Sequence, residues 1–231
     1  MEEVKKLESK ENPLINIALN VVIPSIIMSK FSTREYLGEV WGLVVALSFP
    51  LGYGVVDYIK RKKMNFFSGL GLFSVLMTGG IGLLKLDRQW MIVKETAVPA
   101  IMGIAVIISS LMNKPFVKIF LGQIMDLEKI NKAFSEKGQE SEFEPKLVIT
   151  NYCLAGTFFL SAILNYVLAV IILKGEPGTV VFNQSLGRMT LLSFPVITLP
   201  MMAMVMGIIY YLINTIKKHT DLDIEDVIKV K

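Results

Sequence analysis

Apolar residues in this chain fall into six long runs separated by short polar breaks. The runs cover about residues 14–30, 40–59, 66–84, 96–112, 147–173 and 191–216. A helix that crosses a bilayer needs about 20 mostly apolar residues, within roughly 17–25. Only helices and closed barrels satisfy their backbone groups in lipid, and runs of this length select helices. The pattern predicts an all-α, polytopic membrane protein with about six spans, forming one membrane domain over residues 1–231. The longest polar segment, residues 113–145, is expected to be a cytoplasmic helical linker, and residues 217–231 a charged tail. Within the linker, "KPFVKIFLGQIM" predicts an interfacial amphipathic helix with Phe116, Ile119, Phe120 and Met125 on one side. "DLEKINKAFSEKG" predicts a solvated helix begun by Asp126 and stopped by Gly138. The acidic "QESEFEP" reads as loop, and the last span as starting at Leu191 or, at the earliest, Ser185.

Polar groups inside the runs are few. Asn16 and Asn20 share one helix face at i, i+4, and that face is expected to point at protein, because an unpaired amide in hydrocarbon is costly. Asn165 is read in the same way, or as a substrate contact. Asp57 is expected to pair with Lys60 or Arg61, with proton transfer as the alternative for an intramembrane acid. Gly79 and Gly80 predict close helix packing, or else a helix broken at a transport site. Asp87, Arg88, Lys94 and Glu95 lie in one short connection and are expected to form an ion-pair cluster, with Trp90 suited to a membrane interface.

Composition agrees with the runs: 53% of the 231 residues are hydrophobic, 19% are charged and the mean hydropathy is +0.56. Charge then sets orientation, because cytoplasmic loops are enriched in Lys and Arg. Placing the Lys60–Lys63 knot inside puts 17 of the 24 basic residues on that side and seven on the other, with both termini cytoplasmic. The net charge of +4 is accounted for by lipid-facing loops, so no nucleic-acid partner is implied. Cys153 stands alone and is read as a packing residue. The single histidine, His219, falls in the charged tail and is expected to be solvated. No catalytic motif is present, and one His with one Cys makes no metal site, so neither catalytic residues nor a cofactor is expected.

From Lys60 to Thr96 the order is basic loop, apolar helix, Gly79-Gly80, Asp87, Trp90, Lys94, helix. A second patch is "FFLSAILNYVLA", with Phe158, Phe159, Ala162, Leu164 and Asn165, followed by Asn183 in "VFNQSLG". These residues resemble the bacterial intracellular septation protein A family, the YciB-like inner-membrane proteins. The chain departs from that pattern at Ile92, where the family has lysine, at Glu95, where it has proline, and at Tyr166, where it tends to have an acid. It therefore looks like a divergent relative. The resemblance implies Gly79, Gly80, Asp87, Trp90, Lys94, Asn165 and Asn183 as motif positions. It also implies a non-enzymatic role in envelope maintenance or septation, exercised through membrane partners or self-association. A small-solute transporter or channel, with a polar path near Asn20, Asn165 and Gly79, is the alternative.

Overall fold

The computed structural model describes residues 16–61, 66–220, 222 and 225. The polar tail before Asn16, Lys62 and Lys63 of the basic knot, and most of the C-terminal tail lie outside the described residues. Eight helical segments account for nearly all of the rest: α1 (Ala18–Phe31), α2 (Gly38–Arg61), α3 (Phe66–Leu83), α4 (Arg88–Leu111), α5 (Phe116–Ile124), α6 (Leu127–Glu136), α7 (Glu140–Ile172) and α8 (Val180–Thr220). There is no strand among the described residues. Helices α2, α4, α7 and α8 are long and apolar enough to cross a membrane, and α1 and α3 are shorter apolar helices. Only 11% of the apolar window of α8 is buried inside the protein, so most of that surface is left for lipid to cover. The protein is an all-α polytopic membrane protein.

The chain forms two compact units. The first holds residues up to Glu95 and Tyr166–Pro195; the second holds Thr96–Asn165 and the chain from Val196 onward. In the first unit α1 packs on α2 and on the first half of α8, and α2 packs on α3. Helix α1 is irregular: five-residue π-turns at Ala18–Val22 and Ile27–Phe31 flank a single α-turn that carries Pro24. A third π-turn, Phe194–Thr198, interrupts α8 at Pro195. Proline lacks the N–H that the helical ladder needs there, and a widened turn relieves that misfit.

Helix ends follow local chemistry. Asp126 accepts from the N–H groups of Glu128 and Lys129 at 3.1 Å and starts α6. Gly138, at φ +67°, ends it: its N–H reaches Ser135 O and that of Gln139 reaches Phe134 O. The same double bond pattern closes α3 through Lys85 (φ +51°) and α4 through Asn113 (φ +55°). A lysine held in the left-handed region is costly, by about 1–2 kcal/mol.

Four expectations are corrected. "QESEFEP" is helix, not loop, because α7 starts at Glu140 and runs through Pro145. Its second turn is stabilised by burying Phe143 and Leu147 in a cluster with Ile130, Phe134, Leu212 and Ile216. The buried stripe of α5 is Val117, Leu121 and Met125, while Ile119 stays 57% exposed; α5 packs into this cluster instead of presenting Ile119 to it. Likewise α6 is not simply solvated, since Ile130 and Phe134 are fully enclosed. Helix α8 starts at Val180, with Thr179 accepting from Phe182 N–H as its cap, before both Leu191 and Ser185.

Candidate functional site

In the first unit, the polar groups of the spans meet in three places. Lys94 on α4 is buried against α3. Its ammonium donates to Thr78 Oγ1 at 2.8 Å and Ser74 Oγ at 3.4 Å, and pairs with Glu95 at 2.6 Å. Thr78 in turn donates to Ser74 O, which leaves its oxygen lone pairs to accept from the ammonium. A buried charge is tolerated only when paired and hydrogen-bonded, and here it is both. The expected four-member ion-pair cluster is not present. Asp87 turns to Gln89 N–H at 2.6 Å, beginning α4. Arg88 donates to Leu173 O at 3.0 Å, satisfying a carbonyl just past the end of α7. Trp90 is 55% exposed.

Gly79 and Gly80 sit directly after Thr78, inside an unbroken α3. That removes the broken-helix alternative: glycine is compatible with helix once neighbours enclose it, and Leu47 of α2 would lie 3.2 Å from a Cβ at Gly79. Nothing lies within 4 Å of a Cβ at Gly80. Gly80→Ala is therefore expected to raise stability by about 0.5–1 kcal/mol, the helix-propensity gain. At Gly187 a Cβ would meet Ser25 O at 2.7 Å and Met28 Cβ at 3.0 Å. Gly187→Ala is expected to cost about 1–3 kcal/mol by pushing α1 off α8. Thermal unfolding of the two variants in one detergent checks both signs.

The second place is Asn183, fully buried on α8. Its Nδ2 donates to Glu39 O at 2.6 Å and Ser32 Oγ at 3.4 Å, tying the start of α2 and the end of α1 to α8. Its Oδ1, with Ser25 Oγ, has no hydrogen-bond partner among the described residues. In the third place, Asn16 Nδ2 donates to Tyr53 Oη of α2 at 3.2 Å, and Asn20 Nδ2 donates to Asn16 Oδ1 at 3.0 Å. Asp57 follows Tyr53 by one turn of α2 and is half-buried; the side chains of Lys60 and Arg61, its expected partners, are outside the described set.

The second unit holds Asn151 and Asn165. Asn165 bonds within its own helix, to Ser161 O at 2.8 Å and Ser161 Oγ at 3.3 Å, and not to another helix. Asn151 is completely buried and does the work across helices. Its Nδ2 reaches Val106 O and Ser110 Oγ at 2.7 Å and Ser109 Oγ at 3.1 Å; its Oδ1 accepts from Val117 N–H at 3.1 Å. Ser109 Oγ accepts from Phe116 N–H at 3.1 Å. Together Asn151 and Ser109 cap α5 from outside it. The signal in the sequence is a polar pair, Ser109-Ser110, at the end of one apolar run and a lone amide one turn into another.

His219, expected in solvent, is half-buried. It stacks on Phe134, with ring centroids 5.8 Å apart, and its Nδ1 lies 2.8 Å from Thr215 O. Among the described residues no three His, Cys, Asp or Glu side chains gather as a metal would require.

No family model matches the chain, and no solved structure matches it. The chain is similar to the inner membrane-spanning protein YciB of Rickettsia felis, at 27% identity over 108 residues, or 47% of this chain and 52% of that protein. It thus spans about half the length of the curated relative it matches.

Proposed function

We propose that this chain is a multi-pass protein of the bacterial inner membrane that acts without catalysis, in envelope maintenance or septation, through other membrane proteins. The similarity to an inner membrane-spanning protein supports the location. The observation that carries the non-catalytic reading is the use made of the polar groups: Lys94, Asn16, Asn20 and Asn151 are hydrogen-bonded to neighbours inside the protein. A polar path by Asn20, Asn165 and Gly79 draws no support. Asn20 is bonded to Asn16, Asn165 to its own helix, and Gly79 is met by Leu47.

The test is crosslinking in intact membranes followed by purification of the full chain in mild detergent. The expected result is recovery of envelope-synthesis or division proteins, or of a homo-oligomer. Recovery of the chain alone overturns the proposal. For orientation, both termini belong on the cytoplasmic side by the 17-to-seven excess of basic residues. An enzyme reporter that works only outside the cytoplasm, fused after Lys231, is expected to be inactive. High activity there reverses the topology.

A further inference from the structure

Within the second unit, α7 and the second half of α8 are separated by an apolar groove. One stretch has a volume of about 490 Å³ and includes Thr157, Ser161, Met202 and Met206. A second, of about 250 Å³, includes Thr150 and Tyr211 on the same two helices. The order of residues is antiparallel: Thr150 shares the groove with Tyr211, and Ser161 shares it with Ile197. From Thr150 to Ser161 the groove follows eleven residue steps of helix, ~16 Å at 1.5 Å each. That is the depth of one leaflet, half of a hydrocarbon core about 30 Å thick.

The hydroxyls on the wall do not make it polar. Thr150 Oγ1 donates to Lys146 O and Thr157 Oγ1 to Cys153 O, which leaves their methyl groups facing outward from the helix. Ser161 Oγ is engaged by Asn165. The methionines opposite are unbranched and adapt to an irregular chain.

One end of the groove is basic. Lys146 precedes Thr150 by one turn of α7 and is half-exposed. Lys218 follows Tyr211 by two turns on the same face of α8 and is exposed. Of the acids nearby, Glu144 is taken by Lys118. Glu142, one turn before Lys146, is exposed.

We propose that the groove between α7 and α8 binds one anionic phospholipid, with an acyl chain along Thr150–Ser161 and its phosphate at Lys146 and Lys218. The apolar length selects a chain from a single leaflet, and the two ammonium groups select a negative headgroup. The proposal stands apart from any role in septation.

The experiment is native mass spectrometry of the full chain purified in mild detergent. It is equilibrated with equal amounts of dioleoyl-phosphatidylglycerol and dioleoyl-phosphatidylcholine. One retained lipid per chain is expected, with the glycerol lipid preferred. Lys146→Gln or Lys218→Gln should each lower that preference about fivefold, and the pair about 25-fold. Thr157→Phe, which fills the groove without touching the basic end, should reduce retention of both lipids. Equal retention of the two lipids overturns the proposal. So does an unchanged preference in the double variant, full displacement by inorganic phosphate, or a dimer that seals the groove and retains no lipid.

Discussion

Replacing Asn151 with leucine lowers stability by about 3 kcal/mol, while Asn165→Leu costs less than about 1 kcal/mol. The two changes are chemically identical and differ only in what they orphan. At Asn151 the buried Val117 N–H loses its acceptor and Ser110 Oγ loses a donor. Each stranded group costs about 1–3 kcal/mol. Val106 O is spared in part, because Ser109 Oγ also donates to it at 2.6 Å. At Asn165 the lost bonds run to Ser161 of the same helix, whose carbonyl keeps its place in the helical ladder. Thermal unfolding of both variants in the same detergent gives the comparison; equal losses would refute the capping role of Asn151. Asn151→Asp should fall between wild type and leucine, since it keeps an acceptor for Val117 but loses the amide donors.

The second large effect is asymmetric. Glu95→Ala is expected to cost about 3 kcal/mol, the penalty for leaving an uncompensated buried charge. Lys94 would then retain only Thr78 and Ser74 around an enclosed ammonium. Lys94→Met should cost less than about 1 kcal/mol. Its side chain has similar length and no charge to desolvate, and Glu95, with its side chain 24% exposed, can be hydrated. The double variant should recover most of what Glu95→Ala loses. If Lys94→Met proves the more damaging of the two, the ammonium is doing something other than filling a paired site, and a functional role for this motif position gains ground.

The apolar runs made the helical membrane architecture readable, since length and composition alone decide it. Asp126 and Gly138 likewise marked the ends of α6, because a capping carboxylate and a left-handed glycine act locally. What escaped was set by partners distant in sequence. The acidic "QESEFEP" looks like loop until Phe143 and Leu147 are seen to be four apart and matched by Leu212 and Ile216. In α5, the expected stripe Phe116-Ile119-Phe120-Met125 and the stripe Val117-Leu121-Met125 are both plausible and share Met125. The cluster that buries the second one is assembled from α6, α7 and α8. At the candidate site, Lys94 was visible as a motif position, but its hydroxyl partners Ser74 and Thr78 lie on another helix and meet it only in the folded chain. The division of Asp87, Arg88 and Glu95 into three separate tasks depends on where Leu173 ends up. Thr179, a good cap before Val180, was a readable start for α8, obscured by the weaker apolar character of the turns that follow it.

The π-turns of α1 bear on how this protein can change in length. A π-turn holds one residue more than the α-turn it replaces. Helix α1 carries two of them on either side of Pro24. Loss of one residue from Ala18–Val22 would tighten that turn and leave Ser25, Met28 and Ser32 seated on α8. It would also leave Asn16 facing Tyr53, because a π-turn and the α-turn that replaces it sweep nearly the same angle. Loss of one from Ile27–Phe31 would likewise keep Ser32 directed at Asn183. Single-residue gaps are thus structurally affordable inside this span, and an alignment of distant relatives should open them there, within the helix, in preference to the loop at residues 32–37.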